Sequence, residues 1–175
     1  MGADELSASL WRERRQLELL LFRLETQLLY LNADKSQWLT FTSADLEAVL
    51  ENLRFDTLSR NVEASTVAAE WGVPAQATLT ALAAAAPAGI WGELLQEHQR
   101  EMNVLVRQIN SAREANLGAL RSALEGSARD ADAAGMSPEP ADELALLARH
   151  ATADRALAVV QECAQPLVEE FLGLA

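Results

Sequence analysis

The chain has 175 residues, half of them hydrophobic, with 14 Lys and Arg against 26 Asp and Glu for a net charge of −12. That is enough for the core of one domain, and so acidic a balance repels a phosphate backbone, which sets nucleic acid aside as a partner. The single cysteine, Cys163, excludes an intrachain disulfide and a cysteine-based zinc site.

The opening Met-Gly-Ala-Asp-Glu is acidic where a signal peptide is basic. The most apolar stretch, 17–31, carries Glu18, Arg23 and Glu25 and falls short of the ~20 apolar residues that a span requires. These features imply a cytoplasmic protein with no membrane span, and Met1 implies a nearly complete chain. Ala, Leu, Glu, Arg and Gln dominate and hairpin signals are missing, so the expected fold is all-α. It takes the form of an elongated antiparallel hairpin or bundle of three long helices, with a short helical insert and a tethered C-terminal helix.

The first helix is expected over about 6–39. Leu10, Leu17, Leu21, Leu24, Leu28, Leu31 and Trp38 form a stripe at seam spacing. Leu19, Phe22, Leu29 and Tyr30 lie on the opposite side, so both faces call for cover, from the fold or from another protein. Thr42 and Asp45 fit a capping box before a second helix that ends at Trp71, with Gly72 and Pro74 as its stop. Its main stripe is Leu46, Leu50, Leu53, Thr57, Ala64, Val67, Ala68 and Trp71, and a second face carries Phe55, Leu58 and Val62.

Residues 74–86 read as a short insert anchored by Leu79 and Leu82, closed by Pro87 and Gly89. The third helix follows over about 90–124, with Trp91, Leu94, Leu95, His98, Met102, Leu105, Ile109, Ala112, Asn116 and Leu120 on one stripe. A Gly- and Pro-bearing linker over 126–140 divides this core, 1–125, from a C-terminal helix over 141–175. There Leu146, Ala153, Leu157, Val160, Ala164, Leu167 and Phe171 keep seam spacing, Leu144, Leu147, Ala148, Ala151 and Ala158 form a second face, and Pro166 forces a kink or restart.

Catalytic patterns are missing. Leu95 and Leu147 stand three residues before His98 and His150, where di-iron bundles carry Glu, and neither a zinc-protease helix nor a phosphate loop is present. No enzymatic activity, metal or cofactor is expected. His98 reads as a seam histidine held by a hydrogen bond, and Cys163 as a small buried apolar residue. Asn116 either fixes register at a seam position or reaches water at its edge. Asn110 is a flank residue or a partner contact. The cluster Arg12-Glu13-Arg14-Arg15 is a solvated face or a contact for an acidic partner. The four tryptophans fall near expected helix ends, as caps on the core or as exposed binding anchors.

Five stretches carry a family resemblance: LWRERRQLELLLF from Leu10, LEAVLENL from Leu46, WGVP from Trp71, TLTAL from Thr78 and INSAREANLGAL from Ile109. In this order, over about 6–125, they resemble the flagellar export chaperone family FlgN. Asn110 and Asn116 stand in the region where that family carries an Asn pair, with Arg113 between them. The resemblance implies a non-enzymatic cytoplasmic chaperone. Such a protein holds hook-associated, hook–filament junction proteins, prevents their premature assembly and delivers them to the flagellar type III export gate. It also implies that the C-terminal helical region binds the client. Leu146, Leu157, Val160, Leu167 and Phe171 are the expected anchors, because they repeat at the spacing of helix-in-groove recognition beyond a linker. A coiled-coil adaptor that dimerises through the second face of the first helix is the alternative, which leaves monomer and homodimer both open.

Overall fold

The computed structural model describes residues 2–133 and 140–174, and among them no strand occurs. Six α-helices follow in order: α1 Gly2–Asn32, α2 Leu39–Trp71, α3 Leu79–Ala85, α4 Trp91–Ala133, α5 Pro140–Gln161 and α6 Pro166–Leu172. A 3-10 turn, Ser36–Trp38, leads into α2. The fold is all-α.

Three helices end in the same way, and the sequence says why. Asp34, Gly72 and Gly173 all adopt a left-handed backbone, with φ of 56°, 72° and 76°. Behind each, a backbone N–H reaches back five residues: Lys35 to Tyr30 (2.9 Å), Val73 to Ala68 (2.9 Å) and Leu174 to Glu169 (2.9 Å). These bonds satisfy carbonyls that the last helical turn leaves open. Glycine adopts this backbone freely, and Asp is among the few other residues that tolerate it. At the opposite end of a helix, the Thr78 side chain accepts from the Ala81 N–H and caps α3.

Several boundaries differ from the sequence reading. The first helix stops at Asn32, so Trp38 belongs to the 3-10 turn. Thr42 and Asp45 lie inside α2 rather than capping it, because the Thr42 hydroxyl donates to Gln27 Oε1 (2.8 Å). The expected linker is helical over 126–133, which prolongs α4, and Pro140 already opens α5; residues 134–139 lie outside the described residues. The C-terminal helix is two, restarting at Pro166, where the missing N–H does no harm at the first helical position.

The chain forms two compact units. The first comprises residues up to Leu21, Val49–Ile109 and those from Gln165 on; the second comprises Phe22–Ala48 and Asn110–Ala164. Each has its own core. In the first, Leu6, Leu10, Leu17, Leu20, Leu53, Val67, Leu79, Leu82, Leu95 and Met102 are buried, with Val168, Phe171 and Leu172 of α6. In the second, Leu24, Leu46, Leu117, Leu120, Ala156, Val160 and Cys163 are buried. Each fully buried aliphatic or Phe side chain contributes roughly 1.5–3 kcal/mol.

Among the buried residues of α1, Leu6, Leu10, Glu13, Leu17, Leu20, Leu24 and Gln27 are at 0% exposure. They alternate four and three residues apart without a break, which is a heptad seam with polar residues at two of its positions. The expected stripe of α1 was therefore rotated by about one residue over its second half: Leu21, Leu28 and Leu31 are half-buried at its edge. Along α2, Thr42, Thr57 and Arg60 are the polar members of the seam, and along α4 they are His98 and Asn116.

Candidate functional site

These polar seam residues meet one another. In the first unit Glu13 and Arg60, both fully buried, form an ion pair: Arg60 Nε donates to Glu13 Oε2 (2.9 Å) and Nη2 to Oε1 (3.0 Å). The Thr57 hydroxyl donates to the same Oε1 (2.8 Å), and the guanidinium lies 3.9 Å from the centre of the Phe171 ring. Both carboxylate oxygens are thus engaged, the condition under which a buried charge is tolerable.

A second cluster of that unit surrounds His98. Arg14 Nη1 donates to Nδ1 (3.2 Å), and Ser7 Oγ lies 3.4 Å from Nε2. Since arginine can only donate, Nδ1 carries a lone pair and the proton sits on Nε2 of a neutral ring. Trp11 meets the ring edge-on at 5.0 Å, and the Arg14 guanidinium covers Trp11 at 4.3 Å. Burial, and secondarily the Arg14 charge, lower the His98 pKa to about 4. A Ser-His pair next to a cation is the reverse of a nucleophile-activating arrangement, in which a carboxylate stabilises the imidazolium. The Ser7–His98 contact therefore has a structural role.

The shift predicts an acid response. The unfolded chain binds a proton at His98 near the ordinary value of 6.5, before the folded chain does. Stability from this source is therefore full above pH 6.5 and is lost progressively down to about pH 4. The loss amounts to about 2 kcal/mol after allowance for screening. Urea denaturation of the parent and of His98→Gln across this range checks it: the parent should lose stability faster than the variant.

In the second unit the polar seam residues form a chain. Thr42 donates to Gln27 Oε1 (2.8 Å), and Gln27 Nε2 donates to Asn116 Oδ1 (3.1 Å). Asn116 Nδ2 donates to the Leu24 carbonyl (2.9 Å) and to that of Ala112 (2.8 Å). Asn116 is fully buried, which removes the solvent-edge alternative. Asn110 is half-buried on the flank of α4.

The five expected client anchors have different fates. Val160 and Phe171 are core residues of their respective units, Leu146 and Leu157 are half-buried, and only Leu167 is open, at 51%. Val160 and Phe171 can meet a partner only by leaving their cores. What α5 does present is its second face. None of residues 140–152 is buried; Leu144 and Leu147 are 68% and 61% exposed, and Ala148 and Ala151 beside them are exposed too.

Next to this face the second unit has a groove of about 970 Å³. Ala148 and Ala153 of α5 line one side and Ala119, Ser122, Ala123 and Gly126 of α4 another. Asn32, Asp34, Gln37 and Thr40 line a further side, and Asp130 and Arg149 bring charge to it, so the groove is polar as well as small-walled.

Other expectations resolve individually. Of the basic cluster, Arg12 and Arg15 are exposed while Glu13 and Arg14 are buried in the two clusters of the first unit. Trp11 is 51% exposed and lies well inside α1, not at its end, whereas Trp71 closes α2 and Trp91 opens α4. Cys163 is buried, with its thiol pushed up to about 12 by desolvation. Among the described residues no group of three His, Cys, Asp or Glu could hold a metal ion, and no helix is long and apolar enough to cross a membrane. No protein-family model matches the chain, and no curated protein or solved structure matches it either.

Proposed function

We propose that the protein is a non-catalytic export chaperone of the FlgN kind, holding an amphipathic helix of a hook-associated client against the outward face of α5 and so delaying the client's assembly. The observation that carries this reading is the exposed strip Leu144, Leu147, Ala148 and Ala151, at i, i+3, i+4 and i+7 on a helix whose first half lies outside any core. That spacing is the signature of one helix receiving another. Asp142 and Glu143, exposed near the start of α5, favour a client helix with basic flanks.

Titration calorimetry of the full chain against a purified hook-associated protein tests the reading. Leu144→Lys with Leu147→Lys changes only exposed positions, so the chain should remain folded while affinity falls about tenfold or more. Unchanged affinity in the double variant, or no binding by the parent, overturns the proposal.

A further inference from the structure

The last helix, α6, has seven residues, too few to stay helical without packing. Three of them, Val168, Phe171 and Leu172, are buried in the first unit. Gln165 at its N-cap makes no side-chain capping bond. The apolar area that three side chains bury is of the same order as the entropy lost in ordering the helix, so its docking is marginal.

The ion pair beneath α6 is complete without it. Arg60 gives Glu13 two hydrogen bonds and donates to Asn61 through Nη1, and Thr57 donates to the same carboxylate. All four residues belong to α1 and α2. To this cluster α6 adds the face of the Phe171 ring, 3.9 Å from the guanidinium. Its departure strands none of these polar atoms, because water replaces a ring above a guanidinium that is already paired.

The preceding helix is held independently. Arg113 Nε and Nη2 donate to the carbonyls of Val160 (3.2 Å) and Gln161 (3.1 Å) and close the end of α5. Cys163, just beyond, is fully buried in the second unit. The chain passes from the second unit to the first between Ala164 and Gln165. Pro166 interrupts the helix there, so α6 can leave without unwinding α5.

We infer that α6 is a strap that undocks as a unit while the rest of the first unit stays folded and the Glu13–Arg60 pair stays formed. Opening uncovers the flat face of the Arg60 guanidinium, its edge engaged by Glu13, so a surface suited to an aromatic ring exists only in the open form. In the closed form Phe171 covers it.

Native-state hydrogen exchange of the full chain, in urea below the unfolding transition, is the first test. The amides of Glu169, Gly173 and Leu174 bond to the carbonyls of Gln165, Glu170 and Glu169. They should exchange at least about a hundredfold faster than those over 53–67 of α2, and with little dependence on urea, the mark of a local opening. Equal rates with equal urea dependence overturn the inference. A second readout separates undocking from fraying of the last turn. Phe171→Ala should lower stability only until the strap stands open, so adding Val168→Ala should change the folding equilibrium constant by less than about twofold. In a helix integral to the core the second substitution costs about tenfold or more on its own. Additive losses in the double variant therefore also overturn the inference. None of these results depends on whether α5 binds a client.

Discussion

Glu13→Leu, with Arg60 left in place, is expected to cost about 3–5 kcal/mol, because it strands a fully buried guanidinium without its counter-ion. The Thr57 hydroxyl loses its acceptor at the same time, so packing around the new Leu cannot recover the loss. Arg60→Met alone should cost a similar amount, through a carboxylate left facing apolar walls. The double variant, Glu13→Leu with Arg60→Met, should recover most of the loss, since a buried ion pair contributes little net stability over apolar residues of similar volume. Urea or guanidinium denaturation of the three variants, read as a double-mutant cycle, measures the coupling. Single variants as stable as the parent would contradict the ion pair.

Asn116→Leu is the second large effect, expected at about 2–3 kcal/mol. Leu keeps the branching of Asn but is larger, so overpacking at this fully buried site adds to the loss of hydrogen bonds. It leaves the Gln27 amide without its acceptor in a buried site and breaks the chain that runs from Thr42 through Gln27 to the Leu24 carbonyl. If Asn116 also sets the register of this seam, the variant should unfold less cooperatively, visible as a reduced denaturant slope. A Gln27→Leu/Asn116→Leu pair, with both partners replaced by apolar groups, should be less damaging than the sum of its members.

The helices themselves were readable from spacing and punctuation. Gly72 with Pro74 stops α2, Leu79 and Leu82 anchor the insert expected over 74–86, whose helix α3 is confined to Leu79–Ala85, and Pro166 restarts the chain. The polar members of the seam were harder to read. His98, Thr57 and Asn116 fall on their stripes, but Glu13 reads as part of a solvated or partner-contacting cluster and Arg60 as a surface charge, because charged residues are rarely buried unless paired and the pairing joins residues 47 apart in sequence. A signal existed: Glu13 lies three residues after Leu10 and four before Leu17, and Arg60 three after Thr57 and four before Ala64. A strict heptad count puts both in the core and asks each for a partner.

The C-terminal anchors show the other limit. Two apolar faces ran along the same stretch, and periodicity alone does not say which one turns inward. α5 turns Ala153, Ala156, Val159 and Val160 inward, and α6 turns in Val168, Phe171 and Leu172, while Leu144, Leu147 and Leu167 stay outside. Side-chain size does not decide between the faces, since two of the four buried residues of α5 are alanines and two leucines remain exposed.

Hydrogen exchange of the full chain with and without a hook-associated protein tests the central claim most directly. The account predicts new protection of backbone amides over 141–152, where α5 faces outward, with little change over 51–66 of α2. Protection confined to α2, or no change along α5 at saturating client, would contradict it.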